Sequence, residues 1–271
     1  MSKLLAVDLD GTLVRRDGTI DPRDRDAIAG VRARGIAVAL VTGRLSAGTL
    51  PVAAELELDG LHACADGAAL VAHPSGEVRE LATIPTESRA LLRELLASVP
   101  GPSFLLTSAA VLYDATGQGF LPYLSSWSPD LRPVHSVVDD PLWQRLGPTN
   151  TVTIGPRHDL DRMLSRLRAE TGLTLLTFDA SAHPGTGVVV TRPPGQDKGH
   201  GIRRLAALGG HSADQVVAVG DWLNDVAMFR AAGRSFAVPG CPDALSQVAT
   251  DRLQTAGGHG AVAEAIARVW G

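Results

Sequence analysis

Two carboxylates stand one residue apart at Asp8 and Asp10, followed at once by Gly11 and the hydroxyl of Thr12. Burying such a pair is costly unless a cation or hydrogen-bond donors compensate it. A second acidic set, Asp221, Asn224 and Asp225, lies far downstream, and Thr42 and Lys198 fall between the two. An acidic cluster with one lysine and hydroxyls is what a hard cation plus a phosphoryl group need. Magnesium takes oxygen ligands and commonly combines one or two carboxylates with substrate phosphate. No His/Cys set competes for a softer metal. For the first stretch taken alone, a strand followed by a solvated acidic turn is the plain alternative.

Each polar set follows an apolar run that predicts a buried strand. Leu4–Val7 runs into Asp8, Ile36–Val41 into Thr42, and Val216–Val219 into Gly220-Asp221. Continuous apolar runs of this length suit strands buried on both faces of a parallel sheet. The ends of such strands share one carboxyl edge, where open α/β folds place their ligands. Helices separate the runs. Asp21-Pro22 is a carboxylate cap with proline in the first helical position, and Gly35 ends that helix. A second helix is expected through about Leu56. Asp197 caps another that begins at Lys198 and runs to about Leu208, and a last amphipathic helix spans 260–270. Strand, helix, strand, helix predicts right-handed parallel crossovers.

Leu61 to Ala65 reads as a third strand, and 68–72 with 78–84 as a hairpin around His73-Pro74-Ser75-Gly76. From about Pro85 the alternation lapses into a mixed α+β order. Helices are expected at 87–98 and 159–171, and strands at 151–154 and 188–191. This predicts a second domain, 85–191, inserted into a core made of 1–84 and 192–271. Tyr113 to Pro148 is the least legible stretch. The fold class is α/β: a doubly wound parallel sheet with an inserted α+β domain.

The 45% hydrophobic and 20% charged content fits an ordinary globule and not a disordered chain. A net charge of -4 gives no basic footprint, so no nucleic-acid partner is expected. No stretch approaches a transmembrane span and the N-terminus shows no signal pattern, so no membrane partner and a cytoplasmic location are expected. Cys64 and Cys241 lack paired spacing and read as reduced thiols.

Asp8-Leu9-Asp10-Gly11-Thr12 matches the D-x-D-G-T/S motif of the haloacid dehalogenase (HAD) superfamily. Thr42, Lys198 and Gly220-Asp221-(x2)-Asn224-Asp225 resemble its second, third and fourth motifs in order. The insertion resembles the type C2B cap of the Cof-type, subclass IIB sugar-phosphate phosphatases, and the resemblance covers essentially the whole chain. It implies a Mg2+-dependent phosphatase acting on a small phosphorylated metabolite, most simply a sugar or polyol phosphate, as a monomer or homodimer. Asp8 would be the nucleophile that forms an aspartyl-phosphate, and Asp10 the general acid and then base. Asp8, the main-chain carbonyl of Asp10 and Asp221 would hold magnesium, with Asn224 and Asp225 supporting its shell. Gly11, Thr12, Thr42, Gly43 and Lys198 would bind and orient the phosphoryl oxygens. The same resemblance leaves room for a sugar phosphomutase. A non-catalytic metabolite-binding module predicts loss of Asp8, Asp10, Lys198 or Asp221, and all are present.

The chain departs from the family pattern in two places. Asp66-Gly67-Ala68 stands where Cof-type members show Asn-Gly-Ala, so Asp66 must point away from a phosphate or be offset by a cation. Pro239-Gly240-Cys241 replaces the usual Gly-Asn-Ala. Trp222 reads either as a substrate contact or as packing. Without their context, Thr42 is a turn hydroxyl, Lys198 a solvated lysine, and Asp221 and Asp225 helix-capping or first-turn carboxylates. Arg44 reads as structural or at the rim. His183, His200, His211 and His259 read as surface or loop histidines. Packing is the simpler use for Trp127 and Trp143, and Cys241 reads as a buried small residue.

Overall fold

The computed structural model describes residues 3–180 and 185–271, so His183 lies outside the described residues. The chain forms two compact units, one of residues 1–43, 49–79 and 197–271, the other of 44–48 and 80–196.

The first unit is built on a five-stranded, fully parallel sheet in the order Asp251–Arg252, Arg234–Ala237, Val216–Gly220, Leu4–Val7, Ala37–Leu40. Leu4–Val7 is the hinge of the topology, paired with Val216–Val219 on one side and Ala37–Leu40 on the other. Successive side chains of a strand face opposite sides, and both sides are filled. Leu5, Val7, Val217 and Val219 pack with Ile28 and Val31 of helix Pro22–Ala33 and with Val262 and Ile266 of helix Ala261–Trp270. Leu4, Ala6, Val216 and Ala218 pack on the other face with Ile202 and Leu205 of helix Lys198–Leu208 and with Met228 and Phe229 of helix Asp225–Ala231. Double coverage is why these strands carry no polar alternation. Helix Pro22–Ala33 starts as its sequence predicts, with the Asp21 carboxylate accepting the Arg23 N–H at 2.9 Å.

The third strand, Gly60–Cys64, meets the parallel sheet only at its end, through a bridge between Val41 and Ala63. Its main partner is antiparallel, Ala69–His73, and Val78–Leu81 follows in the same small sheet. The hairpin expected for 68–72 and 78–84 forms as Ala69–His73 beside Val78–Leu81, and Gly60–Cys64 adds a strand on its other side. Ala65, Asp66 and Gly67, at φ 51°, 54° and 88°, turn the chain back directly after Cys64. Where strand–strand pairing lapses, the His62 imidazole takes over. Its Nδ1 accepts the Leu40 N–H at 3.1 Å, and its Nε2 faces the Leu58 carbonyl at 3.3 Å. Burial pushes this imidazole down to about 4.

The second unit carries a six-stranded sheet in the order 174–179, 186–192, 150–156, 103–106, 111–113, 131–133, antiparallel except for the last pair. Leu92 and Leu96 of helix Thr86–Ser98 and Leu160 and Leu164 of helix Arg157–Glu170 share its core with Leu105 and Val189. Residues 44–48 join this unit through the Leu45 N–H to the Trp127 carbonyl and the Ser46 N–H to the Ser108 carbonyl, both 2.9 Å. Trp143 is buried there and donates Nε1–H to the Val137 carbonyl at 2.9 Å, which makes it a packing residue. The Trp127 ring stands edge-on to Tyr123. Cys64 and Cys241 are both free; Cys64 is buried, and Cys241 is half-buried rather than enclosed.

Candidate active site

Three strands of the first unit end at the same edge, and the first polar residues of two of them, Asp8 and Asp221, meet there. The ladder extends one residue past Leu4–Val7, since the Asp8 N–H donates to the Val219 carbonyl at 3.0 Å. This fixes the Asp8 backbone. Its buried carboxylate accepts from Lys198 Nζ at 2.6 Å through Oδ1. The same ammonium donates to Asp225 Oδ1 at 2.7 Å. Asp225 Oδ2 accepts the backbone N–H groups of Asp221 at 3.0 Å and Trp222 at 2.9 Å, so both of its oxygens are engaged and it shapes the Asp221 turn. Thr12 Oγ1 donates to Asp221 Oδ1 at 2.7 Å and stands 3.5 Å from Asp8 Oδ2.

Small residues make this convergence possible. A Cβ on Gly220 would fall 2.5 Å from the Asp225 carboxyl carbon, and one on Gly11 would fall 2.3 Å from Asp221 Oδ2. Lys198 opens its helix under the Asp197 cap, whose carboxylate accepts the His200 N–H at 2.6 Å. Gly199 in that first turn lies so close to the Ala227 carbonyl that a Cβ would sit 2.4 Å from it. A Cβ on Gly201 would meet the Ala63 side chain at 2.9 Å, and one on Gly67 would meet the Asp197 carbonyl at 2.3 Å. The lysine helix is thus pressed against two neighbours, and its ammonium lands between two carboxylates. Sequence reasoning singled out Lys198 but not Gly199 and Gly201; the Lys-Gly-His-Gly spacing is the signal that marks them.

Burial alone would lower the Lys198 ammonium, but Asp225 and Asp8 outweigh it and hold it above its ordinary value. One ammonium does not balance the carboxylates around it. Burial, joined by the charges of Asp225 and Asp221, raises Asp8 well above the usual carboxylate range against the pull of Lys198. Burial and then Asp225 push Asp221 up to about 6. Oxygen atoms of Asp8, Asp221 and Asp225 lie within 4.8 Å of one another. A hard divalent cation fits this set: the donors are all carboxylate oxygens, their charge exceeds that of the lysine, and Gly11 presents no side chain against Asp221. Asp8 and Asp221 are the carboxylates placed to hold it, because Asp225 is committed to Lys198 and to two N–H groups.

Asp10 is exposed just past the strand, bridged to Val14. Thr42 is buried, and its N–H donates to the Ala63 carbonyl at 2.9 Å. Gly43 abuts Asp66, whose Oδ1 would lie 3.4 Å from a Cβ there. Asp66 is itself buried and accepts from Asn224 Nδ2 at 2.9 Å. Trp222 is exposed, as is His259, whereas His200 and His211 are half-buried.

The sequence matches the haloacid dehalogenase-like hydrolase family over residues 5–266. The chain belongs to this family. Among HAD relatives, the pyridoxal phosphate phosphatase of Escherichia coli is 27% identical over 90% of each chain. The phosphoglycolate phosphatase of Natronomonas pharaonis is 29% identical over 97% of this chain and 96% of its own. The fold is that of a HAD subclass IIB sugar phosphatase, with a TM-score of 0.75 over 93% of each chain at 17% identity. This HAD chain is a phosphoric monoester hydrolase.

Proposed function

We propose that the protein is a Mg2+-dependent phosphatase of small phosphorylated metabolites that works through an aspartyl-phosphate on Asp8. The observation that supports this most is the buried pairing of Asp8 with Lys198 beside Asp221, at the edge of one parallel sheet. In this reading an Asp8 carboxylate oxygen attacks phosphorus and the ester P–O bond breaks. Asp10 gives its proton to the leaving oxygen, then takes a proton from the water that attacks the Asp8 phosphoester and releases phosphate. Splitting one displacement into two in this way lowers each barrier. Lys198 holds Asp8 in orientation, and Gly11, Thr12, Thr42 and Gly43 line the phosphoryl oxygens. Asp8, Asp221 and the main-chain carbonyl of Asp10 would hold magnesium, which supplies charge neutralisation at the transferring group. Asn224 and Asp225 support that shell.

Relatives whose names specify pyridoxal phosphate and phosphoglycolate share this framework, so the substrate is set outside it. A sugar or polyol phosphate is the first class to test, given the fold shared with a sugar phosphatase. The experiment is phosphate release from a panel of sugar phosphates, phosphoglycolate, pyridoxal phosphate and p-nitrophenyl phosphate, with and without Mg2+. Release that requires Mg2+ and vanishes in Asp8→Asn is the expected result. Release that survives Asp8→Asn would sink the assignment of the nucleophile.

A further inference from the structure

Asp66 is a carboxylate buried beside the phosphate-handling loops, where repulsion of a phosphate argues against one. Its surroundings explain it. Its N–H donates to the Thr42 carbonyl at 2.9 Å, and its Oδ1 accepts from Asn224 Nδ2 at 2.9 Å. It therefore ties the loop after Ala37–Leu40 to the loop after Val216–Gly220. It does so from a left-handed backbone at φ 54°, next to Ala65 at φ 51°. A non-glycine residue in that region costs about 1–2 kcal/mol, less for Asp or Asn. Asn224 occupies the cap position of helix Asp225–Ala231 but makes no side-chain cap bond. Its amide is turned to Asp66 instead.

We infer that Asp66 is a positioning residue that sets the orientation of the Asn224 amide, and through it the affinity of the site for its divalent cation. The inference rests on the phosphatase reading for the cation's use. A carboxylate only accepts hydrogen bonds, whereas an amide offers both a donor and an acceptor face. Facing Asp66, Asn224 must present its NH2, which leaves its oxygen as the face turned elsewhere. On the reading that Asn224 supports the metal shell, that oxygen is the atom left to accept from the water around a cation at Asp8 and Asp221. Partners one step removed from a metal typically contribute about 10–100-fold in affinity.

The test is calorimetric titration of the full chain with Mg2+ alone, alongside phosphate release, for four variants. Asp66→Gly removes the acceptor while tolerating the left-handed backbone. Asp66→Asn keeps an oxygen acceptor. Asn224→Ala and the Asp66→Gly/Asn224→Ala double variant close the cycle. We expect Asp66→Gly and Asn224→Ala each to weaken Mg2+ binding about 10-fold or more, the double variant to be no worse than either, and Asp66→Asn to stay close to the native chain. Additive losses in the double variant, unchanged Mg2+ affinity in Asp66→Gly, or an Asp66→Asn as damaged as Asp66→Gly would each overturn the inference. Circular dichroism is read first. Should Asp66→Gly not fold, Asn224→Ala against Asp66→Asn decides, since only the first is expected to lose affinity. A native chain that shows this pattern in Mg2+ binding but hydrolyses no ester would remove the phosphatase reading and leave the positioning role. A native chain that binds no Mg2+ removes the positioning role itself.

Discussion

Replacing Lys198 by Met tests whether one buried ammonium holds the site together. The side chain is 1% exposed, and its partners Asp8 and Asp225 are 6% and 0% exposed. Met approximates the volume, so the cavity term stays small, and the loss is electrostatic. Two charge-assisted hydrogen bonds at 2.6 and 2.7 Å disappear, each contributing about 1.5–3 kcal/mol. Two carboxylates are left buried without their counter-ion, a change that costs about 3–5 kcal/mol when one partner of a buried pair is removed. These are two views of the same loss, so the expected destabilisation is about 4 kcal/mol. At about 2–4 °C per kcal/mol, the melting midpoint falls by about 8–16 °C. Urea unfolding at pH 7 without added metal, for the native chain and Lys198→Met, reads the difference. Added Mg2+ should recover part of the loss, because a divalent cation offsets the same carboxylates and binds only the folded state. A loss under about 1 kcal/mol, as for an exposed ion pair, would refute the reasoning.

Two further outcomes follow from the same geometry. Gly199→Ala should destabilise the chain and reduce phosphate release, because its Cβ would fall 2.4 Å from the Ala227 carbonyl. Gly30→Ala, in helix Pro22–Ala33 with open space around it, should stabilise by about 0.5–1 kcal/mol; thermal melts of the pair check both signs. His62 supplies a pH test: burial lowers it from 6.5 to about 4 in the folded chain. A depressed pKa contributes stability that is fully present above the unfolded value and is lost as pH falls through the folded one. Between pH 6.5 and 4 the loss is about 3 kcal/mol at 1.36 kcal/mol per unit. In urea titrations at pH 7 and pH 4, His62→Asn should lose correspondingly less than the native chain over that interval, and parallel losses would discard the assignment.

The parts of the fold that were legible in sequence are those where one physical demand sets the residue types. Leu4–Val7, Ala37–Leu40 and Val216–Gly220 must be apolar on both faces, so they appear as unbroken runs ending in Asp8, Thr42 and Asp221. Asp21-Pro22 and Asp197 announced helix starts because capping needs those side chains. The antiparallel pairing of Gly60–Cys64 with Ala69–His73 left no sequence signal, because the reversal at 65–67 uses Ala65 and Asp66 at positive φ, which their residue types do not advertise. His62 gave no signal either: within an apolar run, a lone histidine shows its use only once the strand edge beside it is known to lack a partner. The stretch from Tyr113 to Pro148 resisted reading because its pieces are short. The Asp140-Pro141 cap repeats the Asp21-Pro22 pattern, but the turn it starts ends at Gln144. Gly199 and Gly201 read as weak helix positions, since propensity carries no record of what packs against a helix.

The pairing of Leu4–Val7 with Val216–Val219 has a consequence for the chain as it is made. Thr12 and Asp221 are 209 residues apart, and Asp8 and Lys198 are 190 apart. At about 5–20 residues per second, the ribosome delivers the later member of each pair about 10–40 s after the earlier one. For that interval Leu4–Val7 has one finished neighbour and one open edge, a template for mispairing with other nascent chains. Asp8 likewise waits without its lysine. Translation therefore sets the order of assembly, and a chain released before Lys198 carries the acidic motif without the cation that orients it.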